Sequence, residues 1–151
     1  MFSAVREAMF SIVFQSQING AEKKAIGTIT FGSSRETFVS SFHQWSAEDY
    51  QAQWLEAIKR IVDGEEHSAL ITNLPLLTSE SLINWWTMWR FGDQVKFQDQ
   101  LFFISDLSVP FDLDDPYSHV GAYTAVNDES QHVSEWDESV ANLAVFLDVH
   151  S

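Results

Sequence analysis

The segment WSAEDYQAQWLEAIKRIVDG (residues 45–64) contains the start, the buried face and the end of one helix. Ser46 is a favourable N-cap residue, and Asp49 stands three positions later, where its carboxylate can accept a hydrogen bond from the cap amide. Lys59 and Arg60 suit the negative end of the helix dipole, and Gly64 can adopt the left-handed conformation that ends a helix. The segment therefore predicts a helix over residues 46–63.

The apolar residues of this helix recur every three or four positions, which places them on one face. Such a face must be covered by another layer of secondary structure. Strand-like segments precede and follow the helix, so we expect an α+β fold in which an antiparallel β-sheet packs against one long central helix. Gln53 and Glu56 are expected to lie mostly off the apolar face. That face consists of Tyr50, Trp54, Leu55, Ile58, Ile61 and Val62.

The other segments predict the strands of the sheet and a short C-terminal helix. β-Prone runs occur at residues 9–14, 25–31, 36–42, 68–72, 82–90, 95–97 and 101–104. Alternation in residues 85–89 gives two apolar faces, which is typical of a central strand. A last hairpin is predicted from residues 120–125 and 131–136, and a helix entered at Asp137 or Ser139 closes the chain.

Residues 9–151 are expected to form a single domain, because a chain of 151 residues is long enough to bury one core. Met9-Phe10-Ser11 repeats the first three letters of the chain, and residues 1–8 show no pattern. We expect residues 1–8 to be a poorly ordered N-terminal extension, and Met9 is a candidate for the natural start.

Negative charge is concentrated in the C-terminal third. The chain has 8 basic and 22 acidic residues, a net charge of −14, and every Lys and Arg lies at or before Lys96. Residues 97–151 contain 11 acidic and no basic residues, a charge of −11, whereas residues 1–96 carry 8 − 11 = −3. A polyanionic surface repels nucleic acid and anionic membrane and favours a basic protein partner. The alternative is that the acidity only keeps the protein soluble.

The chain has no cysteine, as expected of a reducing compartment, and disulfides and thiolate metal sites are thereby excluded. No apolar run approaches the ~20 residues needed to cross a bilayer, and the N-terminus lacks the pattern of a signal peptide. These observations predict a cytoplasmic protein.

The sequence lacks the spacings of common catalytic, metal and cofactor sites. The five histidines are scattered, and neither G-x-S-x-G nor a clustered-glycine phosphate loop occurs. The run Asp112-Leu113-Asp114-Asp115 resembles the start of a calcium loop, but Tyr117 and Tyr123 occupy its sixth and twelfth positions in place of Gly and Glu. We expect no catalytic residue, no metal and no cofactor. A hydrolase that uses two of the many carboxylates, or a binding module with a tryptophan-lined cavity, remains an alternative.

Five of the six tryptophans are most simply explained as core residues, namely Trp85, Trp86 and Trp89 on a strand and Trp45 and Trp54 near the helix. The alternative is that one or two stand exposed beside the acidic segment, together with Tyr117 and Tyr123, because aromatic residues are enriched at protein interfaces. Trp86 is the candidate, since its strand neighbours face the other way.

Several motifs, in this order and spacing, resemble one family of CdiI-type immunity proteins of bacterial contact-dependent growth inhibition systems. The resemblance runs from about Met9 to Leu147 and departs from the family pattern in residues 1–8. The motifs are Met9-Phe10-Ser11-Ile12, Trp45-Ser46-x-Glu48-Asp49-Tyr50-x-x-Gln53-Trp54, Ser68-Ala69-Leu70-Ile71-Thr72, Trp85-Trp86-x-Met88-x-Arg90-x-Gly92-Asp93, Pro110-Phe111-Asp112-x-x-x-Pro116-Tyr117 and Ser134-Glu135-Trp136.

The resemblance implies a non-enzymatic cytoplasmic protein that binds and neutralises the C-terminal toxin domain of its own CdiA effector. Toxins of such systems are often nucleases that act on RNA, and a nuclease cleft tends to be basic. The acidic segment from Asp106 to Glu138 is then expected to cover that cleft. The candidate toxin-binding residues are Asp106, Asp112, Asp114, Asp115, Tyr117, Tyr123, Asp128, Glu129, Glu135 and Trp86.

Overall fold

The computed structural model describes residues 9–19, 23–32, 34–78, 80–126 and 133–150. The predicted N-terminal extension, residues 1–8, lies outside these ranges. Two short 3-10 turns, Ile104–Asp106 and Pro116–His119, lie in the long segment that precedes the last strand. The helices and strands are, in chain order, β1 (Ser11–Asn19), β2 (Lys24–Phe31), β3 (Ser34–Ser41), α1 (Ala47–Val62), β4 (His67–Asn73), β5 (Leu82–Phe91), β6 (Gln94–Phe103), β7 (Glu135–Ser139) and α2 (Val140–His150).

The predicted ends of α1 are confirmed. The Ser46 hydroxyl accepts a hydrogen bond from the Asp49 amide at 3.1 Å, and the Asp49 carboxylate accepts one from the Ser46 amide at 3.0 Å. Both free amides at the helix start are thereby satisfied. Gly64 has a φ of +113° just beyond the last turn, where a residue with a side chain would be strained.

α1 packs against β4 through its apolar face and one polar side chain. Trp54 is buried and donates its indole N–H to the Ile71 carbonyl at 2.7 Å. Gln53, which the periodicity places off the apolar face, is also buried. Its amide donates to the Ala69 carbonyl and accepts from the Ile71 amide, both at 2.8 Å. Because β4 is the outer strand of its sheet, Gln53 satisfies backbone groups that a further strand would otherwise pair.

The predicted α+β class with antiparallel pairing is confirmed, and the described strands divide into two sheets. One has the order β1-β2-β3 and the other β4-β5-β6-β7. α1 connects β3 to β4, and these strands meet through side chains, since Ser40 donates its hydroxyl to the Thr72 carbonyl and Asn73 accepts from the Ser41 amide at 2.9 Å. Aromatic rings fill the space between the sheets and α2.

β5 is the predicted central strand, paired along its length with both β4 and β6. β6 is one continuous strand, although its two apolar runs, separated by Gln98, Asp99 and Gln100, suggest two. Hydrogen bonds to neighbouring strands come from the backbone, so a polar stretch in the strand does not interrupt the ladder.

The predicted last hairpin is wrong, because β7 pairs with β6 and not with residues 120–125. Among the described residues of the two predicted arms, the Val133 amide donates to the Ala125 carbonyl at 3.0 Å. The predicted C-terminal helix is confirmed. It begins after Ser139, whose hydroxyl accepts from the Asn142 amide at 3.1 Å.

Candidate functional site

Three exposed carboxylates lie close together on a tight turn. We call residues 112–115, with Asp112, Asp114 and Asp115, the acidic loop; all three aspartates are exposed. The Asp112 carboxylate accepts from the Asp114 amide at 2.9 Å, and the Asp115 amide donates to the Asp112 carbonyl at 3.2 Å. The backbone therefore holds the three negative charges within one turn.

Tyr117 anchors the acidic loop to α1. It is 4% exposed and donates its hydroxyl to the Glu56 carboxylate at 2.5 Å, while the Gln53 amide donates to the same hydroxyl at 3.3 Å. The Arg60 guanidinium carbon lies 4.1 Å from the centre of the Tyr117 ring. Burial, and then the hydrogen bond to Glu56, raise the pKa of Tyr117 well above its ordinary value, so the hydroxyl stays protonated.

His119 holds the other side of the loop. Its Nε2 atom accepts a hydrogen bond from the Asp112 amide at 3.1 Å, and its ring stacks on Phe111 with 5.0 Å between ring centres. The loop is therefore a preformed structure with contacts on both flanks.

Sequence reasoning missed the side chains that hold the loop. Gln53, Glu56 and Arg60 recur at three- and four-residue spacing and so share one face of α1. The periodicity places Gln53 and Glu56 mostly off the apolar face, but this polar stripe receives Tyr117. The spacing itself was the signal that could have identified a second packed face.

The carboxylates of β7, unlike those of the loop, bond to side chains of other elements. Glu135 accepts from the Tyr123 hydroxyl at 2.7 Å and from the Gln98 amide at 3.0 Å. Glu138 is 7% exposed and accepts from the side-chain amide of Asn142 at 2.8 Å. Asp137, although exposed, is 2.7 Å from the Lys96 ammonium. These carboxylates already have partners within the chain.

The expectation that Trp86 is exposed is wrong. Trp86 is 1% exposed, and its ring packs against Phe31 and Trp136 at centre distances of 5.7 and 4.8 Å. Both faces of a central strand are covered, so a large side chain there has no route to the surface. Tyr117, predicted as an exposed anchor, is likewise buried.

The remaining candidates lie in three places. Asp106 is exposed in the 3-10 turn Ile104–Asp106. Tyr123 is half-buried, and the Glu135 carboxylate that accepts a hydrogen bond from its hydroxyl holds the pKa of Tyr123 above its ordinary value. Asp128 and Glu129 lie outside the described residues.

Two surface grooves bear on the alternative functions. One, of about 220 Å³, lies between β1, α1 and α2, and the other, of about 250 Å³, lies beside the end of β5. Their linings contain one carboxylate, Glu66, so neither brings together the two that a hydrolase of the expected kind needs. Both are also smaller than the roughly 300–1,000 Å³ of small-molecule pockets.

Within the residues that the structure describes, no three His, Asp or Glu side chains are placed so that they could hold a metal ion together. None of the described helices has the length and apolar character needed to cross a membrane.

Comparisons with known proteins give one family and one structural relative. The family model of the CdiI N-terminal domain matches residues 40–146, more than half of the chain. A solved chain from the CdiA-CT/CdiI toxin and immunity complex of Enterobacter cloacae superposes with a TM-score of 0.80 at 19% identity, covering 93% of this chain and 97% of that one. At this identity the likeness establishes the fold. Comparison with curated protein sequences gives no match.

Proposed function

This chain belongs to the CdiI N-terminal domain family, and we propose that it is a non-enzymatic immunity protein that binds the C-terminal toxin domain of its cognate CdiA protein in the cytoplasm. The chain with the same fold comes from a complex of a CdiA toxin and its immunity protein. Neutralisation then requires a surface that is specific for one toxin and ready to bind it.

The acidic loop is the observation that supports the position of that surface. Asp112, Asp114 and Asp115 are exposed, and their contacts within the chain leave most of their lone pairs to solvent. Charged groups that contact a partner contribute most to affinity when they are already held in the binding conformation, because less conformational entropy is lost on binding. Tyr117 and His119 hold the loop in this way.

The toxin that such a loop suits is a basic nuclease, and RNA is its substrate in this proposal. A nuclease cleft attracts phosphates with Lys and Arg, and closely spaced carboxylates can occupy the same positions. The net charge of −14 adds long-range attraction that speeds the encounter. Asp106 extends the acidic surface, and Asp128 and Glu129 are proposed to do so as well. The active site is then covered by the loop.

The experiment is a titration of the purified chain with the C-terminal domain of the CdiA protein from the same locus. We expect tight binding at low salt, a dissociation constant that rises roughly tenfold or more as salt screens the charges, and inhibition of RNA degradation by the toxin. A CdiA toxin domain from a different locus is the control and should not bind.

Each part of the proposal fails on a different result. Absence of binding to the cognate domain rejects the immunity function. Binding that does not weaken with salt rejects the electrostatic contribution of the loop. A bound toxin that does not degrade nucleic acid rejects the nuclease, and a bound toxin that still degrades RNA rejects coverage of its active site.

A further inference from the structure

We infer that a second surface, the groove beside the end of β5, receives one arginine or lysine side chain of the toxin. This inference rests on the proposed function and names a second contact within it. We define the aromatic groove by the rings of Trp89, Phe91 and Tyr123. Its other lining residues are Glu66, His67, Arg90, Gly121 and Ala122.

The rings of the groove are fixed in place. Trp89 and Phe91 are two positions apart on β5 and therefore share a face of the strand. The Tyr123 ring meets both edge to face, with ring centres 5.4 Å from Trp89 and 5.2 Å from Phe91. Trp89 donates its indole N–H to the Gly121 carbonyl at 3.0 Å, and Tyr123 donates its hydroxyl to Glu135 at 2.7 Å.

The groove is open and has room for a single side chain. Phe91 is 49% exposed, although Trp89 beneath it is buried. A volume of about 250 Å³ is too small for a typical drug-sized ligand. An exposed phenylalanine beside a preformed groove is the kind of anchor that protein interfaces use.

The charges around the groove select a cation. Glu66 is exposed at the rim, and among the described residues no ion pair uses its carboxylate. The Arg90 guanidinium also lines the groove, but its N–H groups are engaged at the end of α1, where they donate to the Ile61 carbonyl at 2.6 Å and to the Gly92 carbonyl at 2.8 Å. An apolar side chain in the groove offers no partner to the Glu66 carboxylate, whereas a cation can contact both the carboxylate and the ring faces.

A second copy of this chain is a poorer occupant than the toxin. Each copy carries a net charge of −14, and Glu66 would face another acidic surface. A basic toxin has the complementary charge. The aromatic groove and the acidic loop then contact the same partner through two different kinds of interaction.

The test compares Phe91 with a matched control on the same pair of strands. Phe103, at the opposite end of the β5–β6 ladder, is 47% exposed and serves as that control. Phe91→Leu keeps an apolar side chain and removes the ring, so we expect the dissociation constant for the cognate toxin domain to rise about two- to thirtyfold. Phe91→Ala and Glu66→Gln should each weaken binding as well, and Phe103→Leu should leave it within about twofold.

The outcomes separate this inference from the proposed function. If the wild-type chain binds no toxin, the proposed function falls and the inference with it. If wild type binds and both Phe91 variants match it, the inference alone falls. Weak binding by Phe91→Ala with full binding by Phe91→Leu overturns the cation in favour of an apolar contact. Sedimentation that shows a wild-type dimer abolished by Phe91→Ala assigns the groove to a second copy.

Discussion

The acidic loop and β7 carry the same number of carboxylates but differ in what those carboxylates contact. In the loop, Asp112, Asp114 and Asp115 are exposed, and the one side-chain hydrogen bond among them goes to a backbone amide of the loop itself. In β7, Glu135, Asp137 and Glu138 bond to side chains of other elements. The number of acidic residues therefore overstates the negative charge that is available to a binding partner.

The difference follows from backbone structure. A strand inside a sheet brings its side chains against neighbouring strands, and a buried carboxylate there is stable only with hydrogen-bond partners. The loop lies before Pro116, which begins a 3-10 turn, and its three aspartate side chains are exposed. We infer that β7 carboxylates stabilise the fold and loop carboxylates attract the partner.

The largest effect is expected from removing the anchor of the loop. Tyr117→Ala deletes a buried aromatic side chain and leaves Glu56 and Gln53 without their partner, so the free energy of unfolding should fall by about 3–5 kcal/mol. Toxin affinity should fall as well, because the loop is no longer held. Urea unfolding measures the first effect and titration the second. A loss under about 1 kcal/mol would show that Tyr117 does not anchor the loop.

At alkaline pH, the free energy of unfolding is expected to fall by about 2–3 kcal/mol because of Tyr50, the other buried tyrosine. Burial raises the pKa of Tyr50 from its ordinary value of 10.0 to about 12. Tyr50 donates to the Ser41 carbonyl at 2.6 Å and accepts from the Leu74 amide at 2.9 Å, which ties α1 to β3 and to the chain after β4.

The sign follows from proton linkage. Below pH 10 the tyrosine is protonated in both states, whereas above it the unfolded chain loses the proton first, so stability declines as pH rises from about 10 to about 12. Tyr117, Tyr123 and Lys96, whose pKa values are also raised, contribute to the decline in the same direction, so the share of Tyr50 is the difference between wild type and a Tyr50 variant. The free energy of unfolding of Tyr50→Phe should decline less steeply with rising pH than that of wild type. An identical decline would contradict the assignment to Tyr50.

A smaller effect should distinguish the two acidic regions directly. Glu138→Ala removes the acceptor of Asn142 and should lower the free energy of unfolding by about 1–3 kcal/mol with little change in toxin affinity. Asp114→Asn in the loop should weaken toxin binding and leave the free energy of unfolding within about 0.5 kcal/mol of wild type. Loss of affinity in Glu138→Ala at unchanged stability would place the binding surface on β7.

Local features of the fold could be predicted from the sequence, and long-range ones could not. The caps of α1 depend on residues three positions apart, so Ser46, Asp49 and Gly64 suffice to locate both ends. The partner of β7 depends on contacts with β6, about forty positions earlier in the chain, and no local pattern specifies it. The division into two sheets has the same origin.

The sequence predicted the acidic character of the candidate site but not the burial of its aromatic residues. The exposure of the aspartates follows from their charge and from the turn residues around them. Tyr117 and Trp86 are buried because of what packs over them, Glu56 in one case and Phe31 with Trp136 in the other. An aromatic residue suits a core and an interface equally well, so its type alone does not decide between them.

The most direct test of the account is the rate of association with the cognate toxin domain, measured by stopped flow at several ionic strengths. Asp112→Asn, Asp114→Asn and Asp115→Asn combined change the net charge by three, and Glu48→Gln, Glu80→Gln and Asp148→Asn, at three exposed positions outside the loop, change it equally. The loop variant should associate roughly ten- to a hundredfold more slowly at low salt and lose most of its salt dependence, while the control stays close to wild type. Equal slowing in both variants would contradict the account, because net charge alone would then explain the attraction.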